Sequence, residues 1–403
     1  MRSNVKMGAV DEPAPRFDAR GPDADEYGAA AGYPVGDRET FYATGSLVGS
    51  YSHLDEIFRS RIVRKAPAPS RLVRVDAPDI TWIHEGAEHT LDEYLARHPT
   101  TGLLVARGDT ILVERYQYGR TDRHRFASWS IAKTVTGMLV GIAIAERHIR
   151  SIDDRAAAYV PELADTEYGR TSVRHLLQMS SGVRFSEEYS GGDDVATLAR
   201  NTYRLGGPGG PSAVTSFDAR DAPAGTRFSY SSAETQVLGL VLTRATGRPV
   251  AEYLEEKIWQ PMGAEADASW LVDDAGQEAT FCGLNAVLRD YARLGLVLAH
   301  DGEWNGCQII PASWIIDATT VREDQPHLRP GKATPIFGYG YQTWILPTER
   351  RLFLLWGIRG QRIFVDPASK LVMVNTAVHK LPVDVSALED GAALWFAIRR
   401  HWS

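Results

Sequence analysis

SWSIAKTVTGMLVGIAIAERHI, Ser128 to Ile149, decides how this chain is read. From Thr134 onward the run is apolar almost all round and long enough for a helix, so a buried helix is expected there. Ser130 and Lys133 stand three residues apart at its start, and positions i and i+3 share a helix face. A serine hydroxyl is a weak nucleophile by itself, but an adjacent amine in an apolar setting can lose its proton and act as its base. The helix N-terminus adds backbone N–H groups and positive potential, which favour negative charge developing near Ser130. The same spacing also suits a helix-capping serine beside a solvated lysine, so the pair alone does not decide the chemistry.

Working outward, FSYSSAETQVLGLVL, Phe228 to Leu242, places Tyr230-Ser231-Ser232 just before a second apolar helix that should end at Gly247. A phenol near an ammonium can share or lose its proton, so Tyr230 could pass the serine proton to a leaving group. TGLLVARGDTILVERYQYG, from Thr101, reads as a hairpin around a Gly-Asp turn. RRLFLLWGIRGQRIFVDPASKLVMVNTAV reads as two β-rich runs, followed by the helix candidate SALEDGAALWFAIRRHW. Strands near both ends with helices between them predict an α+β fold, an antiparallel sheet from about 101–120 and 340–403 and a helical region over about 130–330. Residues 1–75, rich in Pro, Gly, Ala, Asp and Arg, read as an extension wrapped on the domain of 76–403. The Gly-rich piece Gly206 to Ser212 reads as a surface loop.

Composition narrows the partners. The 403 residues carry a formal charge of -7 and no extended run of Lys or Arg, so nothing marks a nucleic-acid or anionic-membrane surface. Two cysteines, Cys282 and Cys307, fit neither a metal site nor a disulfide framework. No cofactor or metal is expected. The N-terminal stretch has no apolar core of the export-signal kind and no segment is long enough to span a membrane, so a cytoplasmic location is expected. The expected partner is a small molecule, and a homodimer is left open.

The order Ser-x-x-Lys, Tyr-x-Ser and a glycine-bearing C-terminal strand resembles the superfamily of class C β-lactamases, D-alanyl-D-alanine peptidases and family VIII carboxylesterases. VRHLLQMSSGV, CGLNAVLRDYARLGLVL and FGYGYQTW look similar to further blocks of it, so the likeness runs from about Thr101 to the end. Gly357-Ile358-Arg359-Gly360-Gln361 resembles the Gly-Ile-His-Gly-Gln strand of 6-aminohexanoate-dimer hydrolases, amidases of this superfamily. The resemblance implies a β-lactamase/transpeptidase-like α/β sandwich and a serine hydrolase that works through an acyl-enzyme. It implies Ser130 as nucleophile, Lys133 and Tyr230 as proton carriers, and the N–H groups of Ser130 and Ile358 as oxyanion hole. Tyr189, Ser232, Arg359 and Gly360 would meet the substrate.

Two departures from the pattern stand out. There is no Lys-Thr-Gly, the nearest spelling placing Arg359 where a His or Lys is usual, and no Glu is assignable as the deacylating base of class A β-lactamases. Arg359 could receive a substrate carboxylate or pair with an internal one. A penicillin-interactive enzyme and a non-catalytic binding module with the same fold are the rival readings.

Overall fold

A computed structural model of the chain describes residues 12–84, 86–204 and 206–402, so of the expected extension only 12–75 is considered. The order of the main nine-stranded sheet is Arg16–Phe17, Thr110–Tyr116, Thr100–Arg107, Leu371–Ala377, Gln361–Asp366, Phe353–Gly357, Trp344–Ile345 and Gly338–Tyr339. Val73–Arg74 is also paired to Thr110–Tyr116. Neighbours are antiparallel except at one edge, where Arg16–Phe17 and Val73–Arg74 both lie parallel to Thr110–Tyr116. The hairpin turns at Gly108, whose φ of 58° is open to glycine at no steric cost.

Side chains alternate across each strand, and here both faces are covered. Leu104, Ala106, Val372, Val374 and Ile363 join a core with the helices Ile131–Ala145 and Leu288–Ala299. Leu103, Val105, Leu371, Met373 and Phe364 join a second core with Leu394, Trp395 and Ile398 of the C-terminal helix Val385–Trp402. This is the α+β sandwich expected from the sequence. Each fully buried aliphatic side chain contributes about 1.5–3 kcal/mol, which is why one-sided amphipathic strands are absent from the sheet centre.

Two expectations need correction. The C-terminal β-rich stretch forms three strands, not two, because the chain reverses at Ile358–Gly360, where Arg359 and Gly360 take φ of 59° and 92°. Arg359 is a non-glycine residue in the left-handed region, so nothing in the apolar pattern marks the turn. The Gly206–Ser212 piece is not wholly superficial either. Gly209 and Gly210 are buried, and the Gly210 N–H donates to Asp273 Oδ2 over 2.6 Å.

A smaller antiparallel sheet, Ser60–Val63, Ala268–Leu271, Leu284–Val287 and Arg125–Ala127, ties the 12–75 stretch to the segment that enters the helix Ile131–Ala145. Among the described residues no helix is long and apolar enough to cross a membrane.

Candidate active site

The approach to Ser130 is fixed from behind. Arg125–Ala127 is a strand of the smaller sheet, and the Ser128 N–H donates to Leu284 O over 2.9 Å. Trp129 then takes φ of 43°, a left-handed conformation that costs a non-glycine residue about 1–2 kcal/mol. Its indole stacks on Tyr42 at 5.5 Å between centroids and packs on Tyr51 at 5.4 Å, contacts that offset the strain. Ser130 follows at the N-terminus of the helix Ile131–Ala145. Its side chain makes no capping bond, which removes the helix-capping alternative.

The Ser130 hydroxyl instead accepts from Lys133 Nζ over 2.8 Å. Lys133 is 1% exposed, donates also to Phe281 O over 3.0 Å, and lies 4.9 Å from the centre of the Tyr230 ring. No carboxylate pairs with it among the described residues, and burial pushes its pKa below the ordinary lysine value, with Glu187 partly opposing. An amine in that state can accept a proton. Tyr230 is half-buried and stacked on Trp344 at 5.3 Å. Burial and the Glu187 charge raise its phenol well above the usual tyrosine range, while the Ser130 hydroxyl works against the rise. Lys133 is therefore suited to be the base and Tyr230 to hold its proton until a leaving group needs it.

The blocks VRHLLQMSSGV and FGYGYQTW hold this group in place. Met179 O accepts from the Ser229 N–H over 2.8 Å, fixing the segment before Tyr230. Ser181 Oγ donates to the buried Glu234 at 2.5 Å, and burial raises the Glu234 pKa to about 8. Gln342 is a buried hub. Its carbonyl accepts from Thr134 Oγ1 over 2.6 Å, its Oε1 from Thr235 Oγ1 over 2.7 Å, and its Nε2 donates to Leu176 O over 2.9 Å. One residue thus ties together the serine helix, the tyrosine helix and the Ser-Gly block.

The end of the strand Phe353–Gly357 runs against the serine turn. A Cβ on Gly357 would lie 2.4 Å from Ser128 O and 3.1 Å from Ser130 N, so only glycine permits the approach. Ile358, the next residue, shares the lining of the cleft with Ser130.

Two arms open from Ser130, and Tyr189 and Ile358 line both. One is walled by Glu187, Tyr230, Trp344, Trp356 and Val383. The other, about 220 Å³, is walled by Tyr42, Trp129, Tyr203, Arg204, Cys282 and Arg359. Ser232 and Gly360, expected at the substrate, line neither. The Ser232 hydroxyl donates to Glu187 Oε1 over 2.8 Å and its N–H to Oε2 over 2.7 Å, while Gly360 is buried with its carbonyl accepting from Asn375 Nδ2. Arg359 reaches the second arm without an internal carboxylate. Its Nη1 donates to His379 O over 2.7 Å and to Lys380 O, and its guanidinium lies 5.3 Å from the Tyr42 ring centre.

Glu187, Tyr42, Arg204 and Cys282 are among the wall residues missed from the sequence. Glu187 sits two residues from Tyr189 and accepts its hydroxyl over 2.9 Å, so FSEEYSGG held a usable signal. The other three carry none, because they meet only through tertiary packing.

The chain matches the Beta-lactamase family model over residues 87–391 and belongs to that family. It is a serine hydrolase of the β-lactamase superfamily, with amidase and esterase relatives. It is 30% identical over 362 residues to 6-aminohexanoate-dimer hydrolase of Paenarthrobacter ureafaciens, covering 86% of this chain and 89% of that protein. The solved structure of a candidate 6-aminohexanoate-dimer hydrolase from Bacillus anthracis superposes with a TM-score of 0.80 at 26% identity, covering 91% of this chain and 97% of that one. A family VIII carboxylesterase shares the fold, with a TM-score of 0.58 at 18% identity over 77% of this chain and 95% of that one.

Proposed function

We propose that the protein hydrolyses a small linear amide or ester through an acyl-enzyme on Ser130, in the manner of the 6-aminohexanoate-dimer hydrolase it resembles. The observation that carries the reading is the buried, carboxylate-free Lys133 amine 2.8 Å from the Ser130 hydroxyl. Lys133 takes the hydroxyl proton as Ser130 Oγ attacks the carbonyl carbon, and the N–H groups of Ser130 and Ile358 receive the oxyanion. Tyr230 delivers a proton to the departing nitrogen or oxygen and is reprotonated from Lys133. Water then attacks the acyl carbonyl, its proton passes to the same pair, and Ser130 leaves with a proton restored. No metal or cofactor enters this sequence of steps.

The test is labelling with a fluorophosphonate, together with hydrolysis of p-nitrophenyl esters, short linear amides and nitrocefin by the purified enzyme. Ser130→Ala is expected to abolish the label and lower kcat by several orders of magnitude while the melting temperature stays close to wild type. Retention of about a tenth of wild-type kcat would reassign the nucleophile. Absence of both label and turnover in the wild-type protein would favour a binding module, and turnover of nitrocefin alone a β-lactamase.

A further inference from the structure

The arm on the side of Tyr230 has a wall that the proposed chemistry leaves unused. Trp344 stacks on the Tyr230 ring at 5.3 Å between centroids, and Trp356 lines the same arm half-buried. Trp356 lies 5.5 Å from Trp344 at an interplanar angle of 58° and 5.8 Å from Phe337 at 64°. The other side chains of its strand are fully spent on packing, Phe353 and Leu355 in one core and Leu354 in the other. Alternation puts Trp356 on the face of Leu354, but at the strand end it is only partly covered. Aromatic surface left open in the wall of a cleft is surface that a ligand can cover.

Size and charge narrow the occupant. The arm holds about 180 Å³. An apolar cavity of about 150 Å³ takes one benzene molecule, so a single six-membered ring fits here. Among the described residues that line the arm, Glu187 carries the only charge, and its oxygens already accept from Ser232 N–H, Ser232 Oγ and Tyr189 OH. Its sign repels an anion and its charge is met by those three donors, so the wall suits an uncharged group. Aromatic rings attract one another offset or edge-to-face at centroid distances of about 4.5–7 Å, a spacing these rings already keep among themselves. Val383, 46% exposed, adds an aliphatic surface to the same wall.

We propose that Trp356, with Trp344, receives an aromatic ring on the leaving group, so that the substrate is the amide or ester of an amine or alcohol that carries such a ring. The side of the scissile bond rests on the proposed function, in which Tyr230 hands its proton to the departing atom and therefore faces the leaving group. The arm of Tyr42 is then left to the acyl chain. Trp356 meets the ring and no reacting atom, so it sets which substrate is preferred and not the steps at Ser130.

Two matched ester pairs read it. Benzyl hexanoate against cyclohexylmethyl hexanoate places the ring on the leaving group, with alcohols of similar basicity. Methyl 3-phenylpropanoate against methyl 3-cyclohexylpropanoate places it on the acyl side. The quantity compared is the ratio of kcat/KM within each pair. In the wild type the leaving-group pair should favour its aromatic member about three- to tenfold, the range for one aromatic contact. Trp356→Leu, which keeps an apolar wall, should remove that preference, and Trp356→Phe should retain most of it. Neither should change the ratio of the acyl-side pair. No preference in the leaving-group pair, a preference that survives Trp356→Leu, or a loss confined to the acyl-side pair overturns the proposal. Should the wild type turn over none of the four esters, binding of benzyl alcohol and of cyclohexylmethanol, followed by ligand-observed NMR, decides. Tighter binding of benzyl alcohol that is lost in Trp356→Leu supports the aromatic subsite even if Ser130 fails to label, and equal or undetectable binding of the two overturns it.

Discussion

The two arms that meet at Ser130 are built on opposite plans. The arm of Tyr230 and Glu187 is assembled from segments tied to one another by buried hydrogen bonds through Met179, Ser181 and Gln342, and its free charge is negative. The arm of Tyr42 draws on the 12–75 stretch, the helical region and the strand turn, is held largely by aromatic stacking, and has the guanidinium groups of Arg204 and Arg359 and the Asp193 carboxylate in its wall. In the proposed mechanism the first moves protons and tolerates little displacement, because proton transfer requires hydrogen-bond distances. The second need only exclude water and attract one end of a molecule, so it can be composed of side chains that no short motif records.

The contrast predicts the largest losses in the first arm. Lys133→Ala and Tyr230→Phe should each lower kcat by about 10²–10⁴, the range for a positioned acid or base. Since both would serve one proton path, the double variant should lie within about tenfold of the worse single one, as is usual for residues that work as a unit. Steady-state kinetics on a p-nitrophenyl ester checks this. Losses that multiply would separate the two residues into independent steps and break the picture of a single proton-handling arm.

An intermediate effect is expected in the second arm, at Tyr42. Replacing it by Leu removes the ring shared by Trp129, Arg204 and Arg359 but keeps an apolar wall. Cation–π contacts of this kind are worth about 0.5–2 kcal/mol, so kcat/KM for an ester that reaches this arm should fall about three- to tenfold. Tyr42→Phe should retain most of it. If Leu and Phe behave alike, the ring does not set the guanidinium positions and the second arm is organised by Arg359's backbone carbonyls alone.

What was legible in the sequence follows the same division. Ser130 and Lys133 are paired by helix periodicity, a local rule, and Tyr230 is announced by its own helix start. The sheet was legible wherever β-rich runs are bounded by turn residues, as at Gly108-Asp109, and misread at Ile358–Gly360, where an arginine adopts the left-handed turn conformation. Arg359 could be placed in the cleft, but not its acceptors, which are the carbonyls of His379 and Lys380 on another segment. The resemblance alone put Ser232 at the substrate, yet Glu187 takes its hydroxyl. Tyr42 lies in a stretch with no periodic pattern at all, and its place in the cleft comes from tertiary packing on Trp129, Arg204 and Arg359.

The smallest effect, and the one that sharpens the contrast most, concerns the negative charge of the first arm. Glu187 already accepts from Ser232 N–H, Ser232 Oγ and Tyr189 OH, so it is not poised as a base. Its charge stabilises the ammonium form of Lys133 and disfavours the phenolate of Tyr230, which raises both pKa values. The groups acting on Lys133 are few, burial first, then Glu187 and the neutral Cys282. Glu187→Gln keeps an acceptor oxygen for Ser232 and removes the charge, so both pKa values should fall. In the proposed mechanism activity requires neutral Lys133, present above its pKa, and protonated Tyr230, present below its own. Both limbs of the kcat/KM profile against pH should therefore move toward lower pH, with a loss of about tenfold at most at the optimum. A shift toward higher pH would mean the charge acts on neither group as described, and a loss of several orders of magnitude would make Glu187 itself the proton acceptor in place of Lys133.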